Sequence, residues 1–473
     1  MDELREDCGV FGIWNNADAA RLTYLGLYAL QHRGQESAGI AISDGSKLYS
    51  YKQMGYVNDV FNEHILSMLH GKYAIGHVRY STYGASELRN AQPFAVEYKN
   101  GSLAIAHNGN IVNYEGIRSR LEGEGSIFQS TMDTEVIVHL IAKSDGPSTH
   151  ERLAYALNEL RGAYSLVVLT ENELIAARDP NGFRPLVIGE LNGSMVFASE
   201  TCALDLIGAR YVRDVLAGEM IVVTNNGMRS YLFSHRIQRA SQCIFEHIYF
   251  ARPDSLIFGK SVYSIRRALG KALGAESSVQ ADMVIPVPDS GVPAAVGFSQ
   301  QTGIPFQMAL IRNHYVGRTF IQPRQSIRDF NVKVKLNPIA EVIAGKRIII
   351  IDDSIVRGTT SRTLVKMLRD SGAKEVHMRI SSPPINYSCY YGIDTPTRAE
   401  LISSSHTVQE IRDFIGADSL EYLSIDALRG VVGEDADNFC YACFTGNYPE
   451  PFELTKRDHQ LILFDEGRLN VRP

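Results

Sequence analysis

The chain has 473 residues, enough for two or three domains, and its 45% hydrophobic and 21% charged content is ordinary for a globular protein with sizeable cores. A formal net charge of −6 gives no electrostatic reason to expect nucleic acid, and no apolar run approaches the length of a membrane span. The acidic residues 1–7 lack the apolar core of a signal peptide, so we expect a cytoplasmic protein without a membrane or nucleic-acid partner.

The first candidate nucleophile is Cys8, which follows the only stretch that looks removable, residues 1–7. If this propeptide is cut off, Cys8 carries a free α-amino group with a pKa of about 8, and the amine can serve as the base for the thiol of the same residue. The competing interpretation is a small buried side chain beside a flexible terminus, which is the more common role of a lone cysteine. The choice depends on the segments that follow.

Two polar segments come next in the chain. Residues 31–39 form a polar turn that leads into a strand predicted at residues 40–42. Residues 77–82 contain Arg79, whose guanidinium can hold a substrate carboxylate through two parallel hydrogen bonds. The sequence therefore offers an anion-binding side chain in the same half as Cys8.

Two further segments supply an amide and a carboxylate. Asn108 and Gly109 follow a strand predicted at residues 103–106, and they offer a side-chain amide and an unshielded N–H, the usual parts of an oxyanion hole. Asp133 is predicted to open a helix, where it can bind a substrate ammonium. Each signal alone is weak, because Asn-Gly is most often a turn and a helix-opening Asp is most often a cap.

Taken together after Cys8, these segments resemble the glutaminase domain of the class II, N-terminal-nucleophile amidotransferases. The resemblance covers about residues 8–235 and continues through residues 179–186 and 199–201. It implies an α+β sandwich of the αββα type, with a domain at residues 8–238. It also implies the following roles: attack on the glutamine amide by Cys8, oxyanion stabilisation by Asn108 and Gly109, α-carboxylate binding by Arg79, and α-amino binding by Asp133.

The second half changes character near residue 241, where helices and strands begin to alternate. A helix predicted at about residues 262–273 leads to a strand at residues 283–287. A tight turn at residues 288–293 then opens a helix predicted at residues 294–298. A Gly after a short polar pair at the end of a strand lets backbone amides approach an anion closely.

Residues 348–361 are the least ambiguous stretch of the chain. Four consecutive isoleucines predict a strand buried on both faces of a parallel sheet, and ligands of open α/β sheets bind where such strands end. There, Asp352 and Asp353 can accept hydrogen bonds from two ribose hydroxyls or help to hold a hydrated Mg²⁺ carrying a pyrophosphate. Residues 357–361, at a helix N-terminus, suit a phosphate monoester. The alternative is a plain strand–turn–helix with a capping Asp or Ser.

This stretch resembles the phosphoribosyl-diphosphate (PRPP) signature of the type I phosphoribosyltransferases. The resemblance implies an α/β domain at residues 239–473 with a C-terminal extension, and it makes the turn at residues 288–293 the pyrophosphate loop. The implied Mg²⁺ neighbours are Ser290, Asp352 and Asp353. The implied PRPP-binding residues are Asp352, Asp353, Ser354, Arg357, Gly358, Thr359, Thr360 and Ser361.

Residues 312–335 carry six basic residues against one acidic residue. Most charged stretches are solvated loops. Because a phosphate-rich substrate is expected next to this one, we interpret it as a lid that closes over pyrophosphate. Residues 315–321 are similar to the flexible loop of the family, whereas Arg324 stands where relatives commonly have a small residue.

The cysteines of the second half indicate a metal centre. Cys440 and Cys443 form a C-x-x-C pair, and Cys243 and Cys389 are available as partners. Spacing alone leaves zinc, an iron–sulfur cluster and a redox dithiol open. The chain is also similar to glutamine-dependent PRPP amidotransferases of a cluster-bearing branch, which implies a [4Fe–4S] cluster on these four cysteines with a structural or oxygen-sensing role. Cys202 is left over and is predicted to be a core residue.

A glutaminase joined to a PRPP site implies one reaction, in which ammonia from glutamine replaces pyrophosphate on ribose, as in the first committed step of purine synthesis. Because ammonia is protonated in water, we expect an enclosed, dry passage between the two centres. The resemblance further implies a homotetramer inhibited by purine nucleotides. The competing hypothesis is a regulator that senses PRPP or a nucleotide and carries an inactive glutaminase domain.

Overall fold

The computed structural model describes residues 8–80, 86–234, 239–313 and 336–450. The predicted propeptide at residues 1–7 and residues 314–335 of the predicted lid lie outside the described residues. Among the residues described, no helix is long and apolar enough to cross a membrane.

The first half contains two antiparallel sheets. The strands of the first sheet are, in spatial order, β11 (Arg210–Asp214), β9 (Val187–Leu191), β10 (Ser194–Ala198), β1 (Gly9–Trp14), β4 (Tyr73–Arg79), β2 (Ser37–Ser43) and β3 (Leu48–Met54). Those of the second sheet are β13 (Gly227–Leu232), β12 (Glu219–Thr224), β8 (Leu174–Arg178), β7 (Gly162–Thr170), β6 (Gly101–Ile111) and β5 (Phe94–Tyr98).

The two sheets pack face to face because their strands are apolar on both faces. On β1, Val10 and Trp14 contact the core between the sheets, whereas Phe11 and Ile13 contact the core under the helices. The first sheet is covered by α1 (Ala19–Ala29), α2 (Val57–Val60), α3 (Glu63–Met68) and α7 (Thr201–Ile207). The second is covered by α4 (Tyr114–Gly123), α5 (Glu135–Lys143) and α6 (Thr149–Glu159). The predicted αββα sandwich is confirmed.

The second half is an α/β domain around a parallel sheet, as predicted. Its strands are, in spatial order, β17 (Met283–Pro286), β20 (Arg347–Asp352), β21 (Glu375–Ile380) and β22 (Ser419–Tyr422). One face packs against α8 (Val262–Glu276), α9 (Val292–Thr302) and α13 (Ile425–Val432), and the other against α11 (Thr359–Asp370) and α12 (Val408–Ile415). Ile349 and Ile351 face the first helix layer and Ile348 and Ile350 the second, which is why the run is apolar throughout.

Shorter elements connect this core. They are β14 (Gln242–Cys243), a π-helix (Glu246–Phe250), β15 (Leu256–Ile257), β16 (Lys260–Ser261), β18 (Leu310–Arg312), β19 (Leu336–Pro338), α10 (Ala340–Ile343), β23 (Phe439–Cys440) and α14 (Ala442–Thr445).

Candidate active sites and cysteine cavity

The predicted nucleophile, Cys8, is buried directly before β1. Gly9 pairs with Val78 of the neighbouring strand β4, which ends at the buried Arg79. The Cys8 thiol donates a 3.4 Å hydrogen bond to the carbonyl oxygen of Tyr80. The first sheet therefore brings the nucleophile and the predicted carboxylate-binding guanidinium to one edge.

Asn108 and Gly109 lie inside β6, so the prediction that they follow the end of a strand is wrong. The strand continues to Ile111, and both residues pair with β7. Gly109 has φ +142°, and a Cβ at this position would lie 2.1 Å from the carbonyl oxygen of Ala163. Pairing with β7 thus overrides the turn preference of Asn-Gly, and the close approach requires glycine.

The side-chain amide of Asn108 is placed to form hydrogen bonds with a ligand. It is fully buried, and neither its oxygen nor its nitrogen has a hydrogen-bond partner among the described residues. Leaving a buried polar group unsatisfied costs about 1–3 kcal/mol, so this arrangement is explained by a ligand that completes it. The Asn108 side-chain N–H and the Gly109 backbone N–H can together stabilise an oxyanion.

Asp133 is held at the end of β6. Its Oδ2 accepts a 2.9 Å hydrogen bond from the Ile111 N–H, and its Oδ1 accepts one of 3.3 Å from the Thr134 hydroxyl. His107 Nδ1 lies 3.8 Å from the same Oδ1. The carboxylate is thereby fixed close to the oxyanion-hole strand, which suits the predicted binding of a substrate ammonium.

The two sheets are joined near this strand by His77. Burial lowers the pKa of His77 to about 3, so the ring is neutral at physiological pH. Its Nε2 donates a 3.0 Å hydrogen bond to the carbonyl oxygen of His107, next to Asn108. The strand that ends at Arg79 is therefore connected directly to the strand that carries the oxyanion hole.

A buried ionic cluster beside Cys8 was missed by the sequence analysis. Arg33 contacts Glu200 and Glu246, which are 167 and 213 residues away in the chain. Burial acts to raise the pKa of Glu200, but the charges and hydrogen bonds of His32 and Arg33 outweigh it and lower that pKa. Arg33 stood out in the sequence only as part of a polar turn, because its partners are distant in the chain.

The acid pair of the second half lies where it was predicted. Asp352 ends β20 and Asp353 follows it, and both are buried. The Ser290 hydroxyl donates a 2.6 Å hydrogen bond to Asp353 Oδ1, and the Ser354 hydroxyl donates one of 2.7 Å to Asp353 Oδ2. The structure thus brings Ser290 to the acid pair, and their oxygens are of the kind that Mg²⁺ prefers.

The predicted phosphate loop opens α11. Gly358 has φ +77°, a left-handed conformation that favours glycine, and no side chain caps the helix after it. The first backbone N–H groups of a helix lack intrahelical acceptors and attract anions. Arg357, within the loop, pairs with Glu400 at 3.0 Å. The residues in the first turn are Thr359, Thr360 and Ser361.

The predicted pyrophosphate turn packs against the end of β20. A Cβ on Gly291 would lie 2.5 Å from the carbonyl oxygen of Ile351, so this close approach requires glycine. Asp289 Oδ2, in the same turn, accepts a 2.5 Å hydrogen bond from Arg312, at the start of the predicted lid. The turn, Arg312 and the acid pair therefore lie at the same end of the parallel strands.

The four cysteines of the second half converge on one space, which we call the cysteine cavity. Cys243 and Cys440 are paired on β14 and β23, and the cavity has about 360 Å³ of space between atoms, part of it open to solvent. Burial raises the pKa of the Cys440 thiol to about 12, and it also raises the pKa values of Cys243 and Cys443. The lining residues include Phe183, Cys243, Cys389, Tyr391, Cys440 and Cys443.

The cavity offers four cysteine thiols as its donor set. Within the described ranges, no three His, Cys, Asp or Glu side chains are placed to share one metal ion. A four-iron cluster holds its four thiolates farther apart than a single tetrahedral ion does, so four cysteines around one cavity are compatible with the cluster. The remaining predicted core residue, Cys202, is buried and has its thiol near Glu200, with its pKa raised by burial.

Two protein-family models match the chain in the two halves. A glutamine amidotransferase domain matches residues 77–206, and a phosphoribosyl transferase domain matches residues 260–381. These ranges contain Arg79, Asn108 and Asp133 in the first half and the acid pair in the second.

The chain is similar over nearly its whole length to characterised proteins. Amidophosphoribosyltransferase 1, chloroplastic, from Arabidopsis thaliana is 56% identical over 469 residues, which cover 98% of this chain and 83% of that protein. Amidophosphoribosyltransferase from Bacillus subtilis (strain 168) is 52% identical over 451 residues, 94% of each chain. A solved structure of the glutamine PRPP amidotransferase from B. subtilis in complex with ADP and GMP superposes with a TM-score of 0.90 at 51% identity, covering 96% of this chain and 100% of that one.

Proposed function

This chain belongs to the amidophosphoribosyltransferase family, the enzymes of the first step of purine biosynthesis, and from that premise we propose its reaction and the residues that perform it. Glutamine, PRPP and water are converted to 5-phosphoribosylamine, glutamate and pyrophosphate. The observation that supports the assignment is that a candidate nucleophile site and a candidate phosphate-binding strand–loop–helix occur in one chain. The two halves are in contact through Arg33, a buried residue that bonds to Cys8 in the first half and to Glu246 in the second.

The glutaminase step starts with removal of residues 1–7, which gives Cys8 a free amine. The amine takes the thiol proton, the thiolate attacks the side-chain carbonyl of glutamine, and Asn108 and Gly109 stabilise the oxyanion. As the C–N bond breaks, ammonia leaves with the proton held by the amine, and water then releases glutamate from the thioester. Arg79 binds the α-carboxylate of glutamine and Asp133 its α-ammonium.

The transfer step takes place at the carboxyl end of β20. Asp352 and Asp353 bind the ribose hydroxyls, and the loop and helix turn at residues 354–361 bind the 5′-phosphate. A new N–C1 bond forms while the bond from C1 to the pyrophosphate oxygen breaks, and the amine product loses a proton to solvent. Mg²⁺, which Ser290 and the two aspartates would hold, neutralises charge on pyrophosphate when it is bound.

Ammonia has to reach PRPP before it is protonated. We therefore propose a dry, enclosed passage from Cys8 to the anomeric carbon of PRPP.

The cysteine cavity would hold a [4Fe–4S] cluster. Support comes from four cysteines around one cavity with an apolar lining, where no predicted substrate residue lies. The role of the cluster is structural or oxygen-sensing, because the lining of the cavity contains none of the residues proposed to bind glutamine or PRPP. Protein purified without oxygen should be brown and contain about four irons and four sulfides per chain, whereas bound zinc would contradict the cluster.

Further properties are proposed from the relatives. A solved relative is described as complexed with ADP and GMP, so we propose purine nucleotides as inhibitors of this chain. A homotetramer is proposed from the family resemblance alone. The cytoplasmic location stays a prediction, since several plant relatives are chloroplastic by name. Inhibition titrations with single nucleotides and light scattering test the first two proposals.

The experiment that tests the proposed reaction measures three products in one mixture of glutamine, PRPP and Mg²⁺. Phosphoribosylamine, glutamate and pyrophosphate should accumulate in equal amounts once phosphoribosylamine is trapped. A regulator with an inactive glutaminase domain would release no glutamate, and that outcome would overturn the assignment. Omission of PRPP serves as the control and should leave glutamate release low.

A further inference from the structure

Arg33 and Glu246 form a buried, forked ion pair between the two halves of the chain. Arg33 NH2 lies 2.7 Å from Glu246 Oε1, and Arg33 NH1 lies 3.0 Å from Glu246 Oε2. Their side chains are 1% and 0% exposed. A planar guanidinium held by two parallel bonds has little freedom to rotate, so Glu246 fixes the orientation of Arg33.

The same guanidinium reaches the nucleophile. Arg33 Nε donates a 3.3 Å hydrogen bond to the carbonyl oxygen of Cys8. That carbonyl belongs to the residue whose amine and thiol perform the proposed reaction, so a rotation of the Cys8 peptide would move both groups. Arg33 therefore connects the backbone of the nucleophile to a side chain of the other domain.

The second acid that contacts Arg33 is Glu200, which belongs to the first half of the chain. Arg33 NH1 lies 2.5 Å from Glu200 Oε1, which also lies 2.7 Å from His32 Nε2. Glu200 Oε2 accepts hydrogen bonds from the backbone N–H of Arg252 and from the Ser255 hydroxyl. Buried ion pairs often add little net stability compared with apolar residues, so stability alone does not account for this arrangement.

Glu246 lies in a turn that α8 of the second half holds in place. It is the first residue of the π-helix Glu246–Phe250, and Arg266 of α8 donates 2.8 Å hydrogen bonds to the carbonyl oxygens of His247 and Ala251. Burial lowers the pKa of Arg266 to about 10, and the charge of Asp353 is the largest influence in the opposite direction. One buried arginine of α8 thus holds the π-helix that begins at Glu246, and π-helical turns often occur at functional sites.

We propose that Glu246 is a positioning residue for the Cys8 centre: acting through Arg33, it holds the nucleophile in its reactive orientation from the domain that binds PRPP. This inference rests on the proposed function and deepens it, because it makes the glutaminase centre dependent on a side chain of the phosphoribosyltransferase half. Glu246 contacts no reacting atom.

The test is Glu246→Gln, which keeps the shape of the side chain and removes its charge. Glutamine-dependent synthesis should fall by about 10–100-fold through kcat, because misplacement of a reacting group by about 1 Å can cost about 100-fold in rate. Synthesis from added ammonia should stay within about twofold of the wild type, since it does not need Cys8. Alkylation of Cys8 by iodoacetamide should slow in parallel with the glutamine-dependent rate.

The matched control is Glu219→Gln. Glu219 is also buried and accepts a forked contact from Arg213, at 2.7 and 2.8 Å, but none of its contacts involves Cys8 or Arg33. The Glu219→Gln variant should synthesise product from glutamine and from ammonia at the wild-type rates. An equal loss with glutamine and ammonia in Glu246→Gln, or no loss with either, would overturn the proposal.

Arg33→Lys provides a second variant if Glu246→Gln does not accumulate as folded protein. Lysine keeps the charge but not the fork, so the same selective loss with glutamine is expected, and an unchanged glutamine-dependent rate would contradict it. A wild type without glutamine-dependent activity would defeat the proposed function itself. If the wild type is active with glutamine and both variants have the same glutamine-dependent rate, only the proposed role of Glu246 is contradicted.

Discussion

The side-chain amide of Asn110 donates a 2.9 Å hydrogen bond to the main-chain carbonyl oxygen of Tyr390. Asn110 directly follows Gly109 on β6, and Tyr390 directly follows Cys389 of the cysteine cavity. Close by, the rings of Phe183 and Tyr391 stack with their centroids 4.2 Å apart. The end of the oxyanion-hole strand therefore lies against the segment that would hold the cluster.

Asn110→Ala should impair the glutaminase centre selectively. The change removes the hydrogen bond to the Tyr390 carbonyl oxygen, worth about 0.5–1.5 kcal/mol, and releases the strand beside Gly109. We expect a severalfold lower rate with glutamine and an unchanged rate with ammonia. Asn158→Ala, which removes a similar 2.9 Å amide-to-carbonyl bond to Phe233 far from the site, is the control. Equal rates for the two variants would show that the contact has no influence on the oxyanion hole.

Asn108→Ala should remove one of the two oxyanion donors. Loss of such a donor typically lowers kcat by about 10²–10³-fold, and the effect here should be confined to glutamine as the nitrogen source. Because the amide has no other hydrogen-bond partner among the residues described, its removal should not lower the melting temperature. A stable variant with full glutaminase activity would place the oxyanion elsewhere.

Asp353→Asn should reduce synthesis from both nitrogen donors. The change weakens charged hydrogen bonds to ribose or to a Mg²⁺ complex, each worth about 1.5–3 kcal/mol, so a loss of about 10–100-fold is expected. Rates with glutamine and with ammonia, measured at several PRPP concentrations, distinguish this variant from those in the first half. If only the glutamine-dependent rate fell, the acid pair would not be the PRPP site.

The acid pair and its loop could be predicted from the sequence because strand, acids and phosphate loop are contiguous there. The secondary structure of the proposed oxyanion-hole residues was predicted wrongly, since Asn108-Gly109 is an ordinary turn signal until pairing with β7 extends the strand through it. The pairing of Arg33 with Glu246 was not predictable, because nothing local relates residues 213 positions apart. Long-range ionic contacts depend on the assembled fold.

His247 makes stability sensitive to acid. Burial lowers its pKa to about 3, and neither ring nitrogen has a hydrogen-bond partner in the part of the chain that the structure describes. Below the unfolded-state pKa of about 6.5, the unfolded chain takes up a proton that the folded chain cannot, so stability falls as the pH falls from 6.5 towards 3. Near pH 5.5 the loss should be on the order of 1 kcal/mol.

His247→Leu removes the titrating imidazole and places an apolar side chain between Phe258 and Phe439. Urea unfolding of both proteins at pH 7.5 and pH 5.5 isolates the effect, since all other groups titrate alike in the two. The wild type should lose more than the variant, by on the order of 1 kcal/mol. Identical losses would mean that His247 is protonated in the folded protein.

The central claim is that one centre makes ammonia from glutamine and a separate centre consumes it on PRPP. The most direct measurement is phosphoribosylamine formation by Cys8→Ala, with glutamine or with ammonium as the nitrogen source. We predict no product from glutamine and a wild-type rate from ammonium. Loss of product from both sources in a folded variant, or continued use of glutamine, would contradict the account.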